Sequence, residues 1–143
     1  MDEWKRMYSN NDTLTVAAPW LWEHWNGEDY SLWWARYKYE HEEPMDFMVS
    51  NGLRGWIQRL DPLRKYGFGS LCIFNKEKPF VVECLWMFRG KEIPFEMKDS
   101  DDSELYDWVR VDVEKEREQV NAFLAWEGNF GNGLTFNQGH IYK

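Results

Sequence analysis

The residues best suited by type to chemistry are the adjacent pair Glu23-His24, the further histidines His41 and His140, and the thiols Cys72 and Cys84. A general base needs a partner within hydrogen-bond reach. Neighbours on a helix point about 100° apart, so Glu23 and His24 do not face each other if that segment is helical. The three histidines are far apart in sequence, and neither cysteine has a second ligand at zinc-site spacing. No GxSxG elbow or glycine-rich phosphate loop occurs. Gly67-Phe68-Gly69 and Gly131-Asn132-Gly133 are too short to serve as one. The carboxylate pairs Glu42-Glu43 and Asp101-Asp102 fall in polar runs that read as solvated loops, not as two acids facing across a cleft. The expectation is a non-catalytic chain with no metal and no cofactor.

Two other groups of residues carry more information. Arg54, Arg59, Arg64 and Lys65 cluster in a chain whose net charge is −8. In IQRLDPLRKYGF, Arg59 and Arg64 bracket the Asp61-Pro62 turn. They suit either an acidic docking partner or intramolecular pairing with an Asp or Glu from the sheet, since arginine serves interfaces and buried bidentate pairs alike. A rival use is an RNA-contacting platform built from these cations and a rim indole. The second group is the stretch WLWEHWNGEDYSLWW, with indoles at Trp20, Trp22, Trp25, Trp33 and Trp34. Trp33 and Trp34 are neighbours on a candidate strand and point to opposite faces, so the five rings cannot share one exposed surface. Most belong to packing, with Trp33 or Trp34 at a rim. Packing does not account for the polar residues among them, Glu23, His24 and Ser31.

The elements that would position these residues can be read from periodicity. Trp4, Met7 and Tyr8 give a short amphipathic helix. Asp12 can cap a second helix with Leu14, Ala18, Leu21 and Trp25 on one stripe, kinked or delayed by Pro19 and stopped at Asn26-Gly27. Residues 30–39 and 46–51 read as strands, followed by a helix with Leu53, Trp56, Ile57 and Leu60 on its apolar face. Strands at 68–75 and 80–90 form a hairpin about a turn near residue 78. That register sets Cys72 opposite Cys84, and with both faces apolar the hairpin should be central and covered on both sides. An acidic loop (98–107), a fifth strand (108–113), a helix (about 114–127) ended by Gly128, and a loop-like tail complete the chain. The fold class is α+β, a mostly antiparallel sheet of about five strands flanked by helices.

At 143 residues the chain fits a single domain, residues 1–143, with 43% hydrophobic and 18% aromatic residues to build a core. Its acidic balance lacks the basic footprint of a duplex-binding protein. Two cysteines point to a reducing compartment, and no window reaches the about 20 apolar residues of a membrane span. A cytoplasmic location is expected.

Several ordered segments resemble one family. YSNNDTL, WLWEHWNGEDYSLWW, IQRLDPLRKYGFGS, LWMFRG and the closing FNQGHIYK are similar to the C-terminal domain of the gamma subunit of eukaryotic translation elongation factor 1. The likeness runs from Trp4 to Lys143. It departs at His140, where the family carries lysine, at Trp25, where phenylalanine is common, at Cys72, and in the more acidic 98–107 loop. The resemblance implies that an N-terminal glutathione-transferase-like region is absent here, and any glutathione chemistry with it. It also implies a scaffold and anchor within the elongation factor 1B complex, whose nucleotide exchange belongs to other subunits. Partners would be those subunits and aminoacyl-tRNA synthetases. The polar and aromatic residues inside the motifs, Glu23, His24, Trp33, Arg59, Asp61, Arg64 and Arg89, are the expected partner-binding face.

Overall fold

A computed structural model describes every residue from Met1 to Lys143. Five antiparallel strands form one sheet in the order β4-β1-β3-β2-β5. They are β1 (Tyr30–Tyr37), β2 (Gly67–Phe74), β3 (Val81–Arg89), β4 (Tyr106–Arg110) and β5 (Phe136–Tyr142). The α+β class is as expected. As expected too, β2 and β3 are central strands and are buried along nearly their whole length.

Two layers of helix cover the sheet. Against one face, Leu71, Ile73, Val82, Cys84, Trp86 and Phe88 pack under α3 (Asp46–Arg59), which contributes Val49, Leu53 and Trp56. Against the other, Phe68, Cys72, Phe74, Leu85 and Met87 meet Trp4 of α1 (Asp2–Asn10), Leu21 of α2 (Ala18–His24), and Val120, Phe123 and Leu124 of α5 (Arg117–Ala125). A short α4 (Phe95–Lys98) and a 3-10 turn at Asp101–Leu105 border the first layer.

Asp12 does cap the second helix: its Oδ2 accepts from the Thr15 amide at 3.0 Å and from the Thr15 hydroxyl at 2.6 Å. The first turn, Thr13–Ala17, is a π turn, and Ala17 donates to the Asp12 carbonyl. Pro19 explains the widening, because it has no N–H and its ring crowds the carbonyl four residues back.

Three expectations are corrected. Residues 46–51 are helical, not a strand, because Met45, Met48, Val49, Leu53 and Trp56 keep a 3.6-residue period from the start of α3. The strand expected at 108–113 is present as β4, and a further strand, β5, lies within the segment expected to be loop. The hairpin register is shifted by one residue, so Cys72 faces Glu83, and Leu71 faces Cys84. Phe80 exchanges both backbone hydrogen bonds with His41 at 2.8 Å and so delays β3 to Val81. A one-residue slip turns every side chain over, which places the two free thiols on opposite faces. The ends of α5 and β4 also differ: Trp126, in the left-handed region at φ 61°, terminates α5 in place of Gly128.

Candidate functional site

A groove of about 530 Å³ opens on the α1/α2 side of the sheet, at the end where β1 starts and β3 finishes. Its walls are aromatic because the helix stripe that buries Leu21 leaves Trp20 and Trp25 half-buried at the edge. Trp20 lies between two rings, stacked on Trp4 at 6.5 Å and on His24 at 4.3 Å. The His24 Nδ1 sits 2.9 Å from the Trp20 carbonyl, which fixes the imidazole against the indole. Arg89 enters from the end of β3, and no ion pair or side-chain hydrogen bond engages its guanidinium. The Trp4 indole N–H is buried without a partner. Asp2, Glu3 and Arg6 stand on the α1 side of the groove. The groove therefore offers aromatic rings and the unengaged guanidinium of Arg89.

The seven expected residues do not form one face. His24 and Arg89 line this groove, and Glu23 is exposed beside His24 on α2. Trp33 is 9% exposed and not at a rim. Its N–H donates to Ser31 Oγ at 2.9 Å, and the Arg110 guanidinium lies 4.3 Å over its ring. Trp34 is also buried, so the half-exposed indoles of the stretch are Trp20, Trp22 and Trp25, the three expected to pack inward from a helix.

Arg59 Nη2 donates to both carboxylate oxygens of Asp102, at 2.6 and 2.8 Å. Arg64 donates to Asp61 at 2.6 Å and to the Lys143 carbonyl at 2.9 Å, and its guanidinium lies 5.2 Å over the Tyr142 ring. Intramolecular pairing thus engages both arginines, though with a 3-10 turn and a neighbouring residue instead of the sheet. Half of the four-cation cluster that an RNA platform would use is already neutralised.

Acidic side chains gather elsewhere without forming a catalytic pair. Glu83 is buried between Arg36, at 3.2 Å, and the Asn132 amide, at 2.6 Å. No three His, Cys, Asp or Glu side chains come together as a metal site, and no helix is long and apolar enough to cross a membrane.

Fold and groove together define a small antiparallel α+β domain with helices on both faces and an aromatic, arginine-bearing cleft at one end. The chain belongs to the elongation factor 1-gamma family: the family model described as elongation factor 1 gamma, conserved domain, matches residues 1–92. It is 44% identical to elongation factor 1-gamma of Trypanosoma cruzi over 129 residues, which is 90% of this chain and 31% of that protein. It is 44% identical to elongation factor 1-gamma-A of Xenopus laevis and 40% identical to the Homo sapiens elongation factor 1-gamma, in both cases over 100% of this chain and 34% of the relative. The chain spans about a third of the length of the relatives it matches.

Proposed function

We propose that this domain is the C-terminal interaction module of an elongation factor 1-gamma subunit, a non-catalytic scaffold of the cytoplasmic elongation factor 1B complex. Its partners in this reading are the other subunits of that complex, with aminoacyl-tRNA synthetases as a further class. One observation supports a docking role most directly. Arg89 has no partner of its own and stands in a cleft walled by Trp4, Trp20 and Trp25. Arginine and tryptophan are the residues on which interface energy most often concentrates. Arg59 and Arg64 support the reading less, because each already holds an Asp of the same chain.

Reconstitution with the other subunits tests this. Arg89→Ala and Trp20→Ala are expected to weaken capture by on the order of tenfold while the melting curve shows a folded domain. Arg59→Ala is expected to lower the melting temperature and leave capture intact. Unchanged capture with both groove variants would rule out this cleft as the docking site.

A further inference from the structure

A second groove lies on the opposite face of the molecule, and its use does not rest on the reading above. Val49, Gly52, Leu53 and Trp56 of α3 floor a cavity of about 120 Å³, and Leu105 and the His41 ring stand on its walls. Its surroundings are unusually apolar for open surface. Met45 is 53% exposed, Met48 43%, Leu105 41% and Tyr39 63%. Met48 and Gly52, four residues apart on α3, continue the stripe that floors the groove, and Met45 is the extended residue just before the helix. The Tyr39 ring extends the wall, 5.8 Å from that of Tyr37.

Gly52 is the informative residue. Glycine inside a helix weakens it relative to alanine. A Cβ built at Gly52 meets nothing within 4 Å, so the fold does not require a glycine there. What its absence of side chain does provide is bare helix backbone on the groove floor, where another chain can approach closely. Asp102 lines the groove, and the other carboxylates near it flank the lining residues His41, Asp102 and Leu105 along the chain. Glu40, Glu42 and Glu43 come from the segment between β1 and α3, and Asp101, Asp102 and Glu104 from the 3-10 turn. Arg59 offsets Asp102, His41 lies 3.3 Å from Glu43, and Lys38 lies near Glu104, which leaves Glu40, Glu42 and Asp101 without an ion pair.

We propose that this groove binds a basic amphipathic segment of a partner protein. One apolar side chain of that segment seats over Gly52, and its Lys and Arg residues align with the acidic rim. An apolar groove anchors such a segment, and the complementary rim charge selects its sign and orientation.

Fluorescence anisotropy with a labelled Lys/Arg-rich peptide carrying a leucine stripe, and with its Glu-substituted counterpart, decides the matter. The basic peptide is expected to bind and to weaken as salt rises. The acidic one is expected not to bind. Gly52→Phe fills the groove from an open position and is expected to weaken binding at least about tenfold with the melting temperature maintained. Glu42→Lys with Asp101→Lys, both at exposed positions, is expected to weaken binding and flatten its salt dependence. No binding of the basic peptide at low salt would overturn the proposal. So would equal binding of both peptides, or unchanged binding in both the filled and the charge-reversed variants. Sedimentation showing that this face pairs two copies of the chain, with Gly52→Phe abolishing the pair, would overturn it in favour of self-association.

Discussion

At Gly69 the absence of a side chain decides how the sheet packs. A Cβ there would lie 2.6 Å from two ring atoms of Trp86, a residue with no exposure that cannot move aside in a filled core. Gly69→Ala is therefore expected to destabilise the domain by about 1–3 kcal/mol, read from urea denaturation, by forcing an off-rotamer indole or a strand shift. His140 gives a second prediction at the same scale. Its Nε2 lies 2.7 Å from Ser50 Oγ, and burial, with Arg54 second, lowers its pKa from the usual 6.5. The unfolded chain takes up a proton near 6.5, whereas the folded chain does so only at lower pH. The stabilising contribution is thus fully present above 6.5 and is lost as pH falls from there through the folded value. Melting temperatures measured across that window are expected to fall with acid, and His140→Gln is expected to remove that component of the slope.

Element by element, the sequence was most legible where burial was complete. The runs at 68–75 and 80–90 are apolar on both faces and lie at the centre of the sheet, as their composition required. The two misread elements fail for opposite reasons. DFMVSN holds enough strand-forming residues to imitate a strand, but its apolar positions join a helical stripe that only the longer window from Met45 to Trp56 reveals. FNQGHIY is a strand with almost no pattern. At the sheet edge every residue but the buried Tyr142 is half-buried, on both faces alike, and Gly139 is kept small because a Cβ there would come 2.8 Å from the Trp126 ring. The candidate groove was legible in part. His24 and Arg89 stood out as polar letters within apolar motifs, but Trp20 and Trp25 did not, since the pattern of a helix stripe does not say which of its rings will sit at the edge. At this scale α3 offers a clean test, because Gly52 has open space around it. Gly52→Ala is expected to stabilise the domain by about 0.5–1 kcal/mol in denaturant titrations. A loss of stability instead would mean that the glycine serves the fold, and it would remove the reason for seeing Gly52 as a place where another chain approaches.

For the molecule as a whole, the one-residue register of the β2–β3 hairpin has placed a thiol on each side of the sheet. Cys72 lies in the layer under α1, α2 and α5, and Cys84 in the layer under α3. Burial raises the Cys72 pKa to about 12 and that of Cys84 well above its usual value, so neither supplies a reactive thiolate in the folded state. Both occupy the two central strands, where exposure requires opening of the fold and not fraying at an edge. Labelling with a thiol reagent under native conditions is therefore expected to be slow at both positions. Opening free energies from the two labelling rates are expected to agree with each other and with the unfolding free energy from denaturant titration. Agreement would mean that the two layers separate from the sheet in one cooperative step, held together through the ring contacts of Trp86 and Phe74 on either side. A lower value at Cys72 alone would show that the layer of α1, α2 and α5 lifts away first. The aromatic groove would then belong to a mobile half of the domain, while the acid-rimmed groove on α3 would remain on the rigid half.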